Sequence, residues 1–201
     1  MSLFADACRS GDVKQILKCI EDRDEWNANY DCGMVHACEG GNMDIVKLMI
    51  EKGANSWNDG LVSACLEGHL EIVKFMIEKC LPEVPNLLCG LRSGLRNACF
   101  GGHLDVIKFM IEKGADCKIL EETPRKNCCR KVSIFGDKVI RKLVESISTE
   151  ELVSFYHLPN LSERLKSSLK PRVDNYMKEI HEILDSKVDE KNLLHIVSQF
   201  L

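Results

Sequence analysis

The stretch Glu67-Gly68-His69-Leu70-Glu71-Ile72-Val73-Lys74-Phe75-Met76-Ile77-Glu78-Lys79 decides the fold, because the chain writes it more than once. Upstream it stands as Gly40-Gly41-Asn42-Met43-Asp44-Ile45-Val46-Lys47-Leu48-Met49-Ile50-Glu51-Lys52, followed by Gly53-Ala54-Asn55. Downstream it returns as Gly101-Gly102-His103-Leu104-Asp105-Val106-Ile107-Lys108-Phe109-Met110-Ile111-Glu112-Lys113, followed by Gly114-Ala115-Asp116. A weaker copy, Ser10-Gly11-Asp12-Val13-Lys14-Gln15-Ile16-Leu17, opens the chain. Ala-Cys precedes every copy, at Ala7-Cys8, Ala37-Cys38, Ala64-Cys65 and Ala98-Cys99, the cysteines recurring at intervals of 30, 27 and 34 residues. Self-similarity at such a period marks a repeat architecture.

Each unit reads as two short helices. In the second, Ile72, Val73, Phe75, Met76 and Ile77 form a broad apolar face, with Lys74, Glu78 and Lys79 outside it. The glycine before it (Gly41, Gly68, Gly102) ends the first helix, since glycine reaches the left-handed conformation at little cost. Gly53 and Gly114 close the second helix in the same way. Ala-Cys supplies two small residues where helices approach closely. One unit cannot bury its apolar face alone, so units must stack.

The run Ala-Cys-x-x-Gly-His-Leu-Glu-Ile-Val-Lys-x-x-Ile-Glu-x-Gly-Ala resembles the ankyrin repeat, whose period is about 33 residues. The resemblance covers residues 4–118. Gly53-Ala54-Asn55-Ser56-Trp57-Asn58 further resembles the ankyrin repeats of large DNA viruses. The fold this implies is an all-α ankyrin-repeat helical solenoid with shortened β-hairpin fingers and a helical C-terminal extension. Residues 1–118 hold four repeats (about 1–32, 33–59, 60–93 and 94–118), residues 119–148 a degenerate fifth repeat or cap, and residues 149–201 the extension.

Departures from the family pattern bear on function. The Thr-Pro-Leu-His helix opening is replaced by Gly33-Met34-Val35-His36, Gly60-Leu61-Val62-Ser63 and Gly94-Leu95-Arg96-Asn97. Only nine residues separate Gly53-Ala54 from Ala64-Cys65. That is about six fewer than an ordinary unit supplies, so the finger is expected to shrink to a tight loop with Asn58 or Asp59 capping the next helix. Trp57, with Trp26 as its counterpart, is expected to wedge between units. Cys80 to Ser93 gains Pro82, Pro85 and Leu87-Leu88, and is expected to form a longer, ordered loop.

Catalytic and metal-binding patterns are missing. Four of the 11 cysteines occupy one repeat position, which assigns them to packing. The other seven form no C-x-x-C pair of the kind a zinc site uses. His69 and His103 recur with the repeat and, by the resemblance, bond nearby backbone. His181-Glu182-Ile183-Leu184-Asp185 starts like a zinc-protease helix but ends without the second histidine. There is no P-loop, dinucleotide fingerprint or nucleophile elbow. Neither an enzyme nor a cofactor is expected.

Composition is that of a folded, soluble chain, 45% hydrophobic and 29% charged. Residues 1–118 carry 13 Lys and Arg against 18 Asp and Glu, so nucleic acid is an unexpected partner for the repeats. Seven basic residues and one Asp lie between Pro124 and Lys142, either a solvated face or a contact for an acidic partner. The N-terminus lacks the basic flank of a signal sequence, and no apolar run approaches the roughly 18 residues of a membrane span. A cytoplasmic, or nuclear, monomer is the expectation.

In the carboxy-terminal third, Ser148-Thr149-Glu150-Glu151 reads as a capping box opening a helix with Leu152, Val153, Phe155 and Tyr156. Pro159 breaks it. A short helix over 161–169 follows, and Pro171 suits the first turn of another, striped by Val173, Tyr176, Met177, Ile180 and Leu184. Asp189 caps a last helix. These stripes either dock on the final repeat or form a recruiting module. Leu158-Pro159 with Leu161, Leu165 and Leu169 is similar to the F-box-like ends through which some viral ankyrin proteins engage host ubiquitin ligases.

In the ankyrin fold the first helices line a concave surface. The resemblance places Asp6 and Arg9, His36 and Glu39, Ser63 and Leu66, Asn97 and Phe100 on it, charged at the amino end and apolar toward Leu66 and Phe100. The expected function is a non-enzymatic protein–protein interaction through this face, unless the 80–93 loop folds over the apolar pair. The alternatives are a structural component of a viral particle and a ubiquitin-ligase adaptor.

Overall fold

A computed structural model describes residues 2–21, 29–80, 87–120 and 132–187. Four first helices, α1 (Leu3–Ser10), α3 (Tyr30–Gly40), α5 (Trp57–Glu67) and α7 (Leu87–Gly101), stack side by side. Each is followed by a second helix: α2 (Val13–Glu21), α4 (Met43–Glu51), α6 (Leu70–Cys80) and α8 (Leu104–Glu112). A 3-10 turn at Cys117–Leu120 leads to α9 (Val132–Ser146), α10 (Thr149–Tyr156) and α11 (Glu163–Lys187). Among the described residues there is no strand, and one apolar core runs from Phe4 to Val173. This is an all-α ankyrin-type solenoid.

Gly11, Gly41, Gly68 and Gly102 end the four first helices with φ between 77° and 81°, where a Cβ would be strained. The site tolerates no side chain for a second reason as well. A Cβ on Gly41 or Gly68 would press on the imidazole of His69 or His103 from the next unit.

Small residues inside the units make the stacking tight. Gly33, Gly60 and Gly94 each face a methionine 16 residues later, Met49, Met76 and Met110, all three fully buried. The next neighbours of Gly60 and Gly94 are the thiols of Cys38 and Cys65, from the unit before. The repeated cysteine is therefore a knob between successive units rather than within one. The cysteines described are free thiols.

The connection from α4 to α5 is short, as its length foretold, but it is capped differently. Trp57 is the first residue of α5, and Ser56 at the cap position makes no side-chain bond. Neither Asn58 nor Asp59 caps the helix, because both already lie inside its first turn. The cap comes from the previous unit: Asp31 Oδ1 accepts from the Asn55 and Ser56 N–H groups at 2.6 and 3.0 Å. Such a carboxylate also complements the positive end of the helix. Trp57 is half-buried against the core, while Trp26 lies outside the described residues.

The stretch 80–93 is not a long loop over its second half. α7 begins at Leu87 and extends the first helix amino-terminally, with Gly90 and Leu91 buried. Gly90 allows the extra turn, since a Cβ there would meet Asn58 Oδ1 at 2.6 Å. Residues 81–86 lie outside the described residues, as do Asn127-Cys128-Cys129, most of the basic stretch and the helix expected from Asp189.

The carboxy-terminal helices pack on the fourth unit. Val139, Ile140 and Leu143 of α9 join Ile147, Leu152, Phe155, Leu161, Leu165 and Leu169 in the common core. Ser148 and Glu151 form the expected capping box. Hydrogen bonds to helix-end carbonyls hold the corner: Lys108 donates to Ser146 O at 2.7 Å, and Asn160 to Ile111 O and Ala115 O, both at 2.7 Å. The Arg172 guanidinium donates to the Val144 and Ile147 carbonyls. The two helices expected over 161–169 and from Pro171 are instead one, with Pro171 inside it. Burial of Leu165, Leu169 and Val173 on one stripe, with the Arg172 tether, outweighs the hydrogen bond that proline cannot make.

Candidate interaction face

Residues flanking Ala-Cys fall on one side of the first helices, since positions three apart on a helix share a face. Asp6 is exposed on α1. Arg9, His36 and Glu39 converge: Glu39 Oε2 lies 2.6 Å from Arg9 Nη2 and 2.9 Å from His36 Nδ1. Arg9 Nε is buried with no hydrogen-bond partner, so this cluster carries an uncompensated donor. Ser63 and Leu66 on α5 are half-buried. Asn97 is turned to its own helix, donating to Ser93 O at 2.8 Å. Phe100 is 56% exposed. The structure thus joins three of the eight residues in one cluster and leaves the others as separate positions along the stack.

The backbone beneath them is tied from unit to unit. Asn42 Nδ2 donates to the carbonyls of Cys8 and Arg9, at 3.2 and 2.7 Å. His69 Nε2 lies 3.0 Å from Glu39 O, and His103 Nε2 lies 2.9 Å from Leu66 O. A carbonyl only accepts, so each Nε2 carries the ring hydrogen. Asn42, His69 and His103 thereby fix the backbone of Arg9, Glu39 and Leu66 in turn. The sequence showed the recurring histidine but not that its acceptor belongs to the previous unit. The signal was there: the residue after the left-handed glycine is polar in all four units.

Burial pushes the thiols of Cys8, Cys65 and Cys99 up to about 12; the nearby Cys32 and Cys19 add to this at Cys8, and Cys117 at Cys99. Such groups stay as S–H at neutral pH and offer no nucleophile. The Glu151 carboxyl is held below its ordinary range by the Ser148 hydroxyl and N–H, and then by Lys108.

A shallow hollow of about 400 Å³ lies between the starts of α6 and α8 and the end of α9. Its His103 and Lys108 are spent on the carbonyls of Leu66 and Ser146. Among the described residues no group of three His, Cys, Asp or Glu could hold a metal ion, and no helix is long and apolar enough to cross a membrane.

Two comparisons bear on identity. No curated protein matches the chain. Residues 4–87 match the family model described as Ankyrin repeats (3 copies), a family that generally serves as a non-enzymatic module for protein–protein interaction. Residues 4–87 are therefore ankyrin repeats, and the helices after them continue the same solenoid into a fourth helical pair.

Proposed function

We propose that this chain binds another protein through the face formed by its first helices, with Leu66 and Phe100 as the apolar anchor. The observation that carries the reading is the exposure of Phe100, 56%, in a helix whose Leu91, Leu95 and Ala98 are buried. A large aromatic side chain standing out of a rigid scaffold is a common centre of binding energy. Asp6, Arg9, His36, Glu39, Ser63 and Asn97 supply the polar surround. The buried positions of Leu161, Leu165 and Leu169 count against the ligase-adaptor alternative, since a recruiting surface cannot use side chains already spent on packing.

The test is the double substitution Leu66→Arg with Phe100→Glu. Both positions are at least partly exposed, so the helical circular dichroism and melting temperature should stay close to those of the parent. Partner capture from host extract should be lost. Capture of the same partners by the double variant overturns the assignment.

A further inference from the structure

We propose that the second half of α11 docks the chain's own segment 193–201, which folds back along it as an antiparallel partner. The inference stands apart from the reading of the first-helix face.

One apolar stripe runs along α11, because positions three and four apart share a helix face. Its first half, Leu165, Leu169 and Val173, is buried against α9 and α10. Among the described residues Val173 is the last buried member of the core along the chain, and Tyr176 the last side chain partly packed on it. The stripe then runs past its cover: Met177 is 45% exposed, Ile180 is half-buried and Ile183 is 53% exposed. Single apolar side chains on a surface are ordinary, but these three prolong a face that is already an interface. The polar side chains of this half turn to one another, Asn175 donating to Glu179 at 2.8 Å and Lys178 standing beside Glu182.

The residues that follow fit this face in pattern, reach and length. Fourteen of them come after Lys187. Leu193, Ile196, Val197 and Phe200 fall at the same three- and four-residue spacing as the stripe. Val188 to Asn192 supply five residues for the reversal, within the roughly two to eight that join packed helices. Leu193 and Phe200 stand seven residues apart, as do Ile183 and Tyr176, so two turns of one helix match two turns of the other. Run antiparallel, Leu193 meets Ile183, Ile196 meets Ile180, and Phe200 meets Tyr176 and Met177.

Charge argues against a second copy in that place. A two-fold pairing of α11 with itself about Ile180 brings like flanks together, and the exposed Glu179 then stands against Glu179 of the copy. Like charges beside an apolar seam oppose pairing. The segment 193–201 carries no acidic side chain, so it meets Glu179 without repulsion.

The test is hydrogen exchange of the full chain, read by mass spectrometry on peptides covering 193–201, at two protein concentrations about tenfold apart. In the parent these amides should exchange at least about tenfold more slowly than in a free synthetic peptide of the same sequence. Met177→Asp with Ile180→Asp places charge on the docking face, at positions outside the packed core. It should return 193–201 to the free-peptide rate while the protection of α9 and the helical circular dichroism stay as in the parent. As a second measurement, benzoylphenylalanine in place of Phe200 should photo-crosslink within one chain to the tryptic peptide 173–178. Free-peptide exchange in the parent overturns the inference, as does slow exchange that the double variant leaves unchanged, or a crosslink within the chain to any other element. Slow exchange at the higher concentration alone, with crosslinks between chains, overturns it in favour of a second copy.

Discussion

Cys65 carries the logic of the stack at the scale of one residue. Its thiol is fully buried, and a Cβ on Gly94 in the next unit would come within 3.0 Å of it. Burial holds the thiol as S–H up to about 12, against an ordinary value of 9.0 in the unfolded chain. Below about pH 9 both states keep the proton, and the thiol adds nothing to the pH dependence. Between pH 9 and 12 the unfolded state loses its proton while the folded state keeps it, so stability falls as pH rises. Each such thiol removes up to about 1.4 kcal/mol per pH unit in that window. Urea unfolding at pH 8 and at pH 10 should show this loss. Cys65→Ala, although less stable overall, should show a shallower decline between the two pH values. An identical decline in the variant would mean that Cys65 ionises alike in both states.

At the scale of the element, α11 sets local propensity against tertiary contact. A proline in a helix interior costs about 3 kcal/mol relative to alanine, and this one is exposed. What holds the helix together is packing on either side: Leu165 and Leu169 before Pro171, Val173 and the Arg172 tether after it. Pro171→Ala restores an N–H for the Ser167 carbonyl. It should stabilise the protein by about 2 kcal/mol after allowing for the freer unfolded chain, read as a raised melting temperature. A lowered one would mean that the proline sets the direction in which Arg172 leaves the helix. The sequence made this helix legible only in part. Its apolar stripe was clear, but a proline reads as a boundary unless the packing that overrides it is known. The same holds for α7, where Leu87-Leu88 and the nearby prolines suggested a loop and only the close approach to Asn58 reveals why Gly90 permits helix. By contrast, the helix pairs of the repeats and their glycine stops were plain, because four copies average out local ambiguity. The Asp31 cap was hidden, since a carboxylate 24 residues from its N–H partner leaves no local pattern.

For the whole molecule, the two ends of the solenoid differ. At the amino end Leu3, Val13 and Leu17 remain exposed, whereas at the other end α9, α10 and α11 continue the core, and Asn160 donates to the Ile111 carbonyl of α8 and to the Ala115 carbonyl just after it. The face flanking Ala-Cys was legible only as a set of expected positions taken from the family's geometry, of which the structure leaves Asp6 and Phe100 exposed and the other six half-buried. Its chemistry was not, because the Arg9, His36 and Glu39 cluster depends on contacts 27 and 30 residues apart. A solenoid passes stability between neighbouring units, so loss of a terminal element weakens the unit it covers. Ending the chain after residue 148 strips Leu152, Phe155, Leu161, Leu165 and Leu169 from the core and removes the Asn160 hydrogen bonds to the Ile111 and Ala115 carbonyls. Exposing the apolar side chains these residues cover should remove several kcal/mol, which lowers the urea midpoint by about 1 M or more. The double variant on the first-helix face should unfold at the midpoint of the parent, so the two changes separate stability from binding. If the shortened chain kept the parent's midpoint, the carboxy-terminal helices would be an independent module carried by the repeats, and a recruiting role for them would regain its footing.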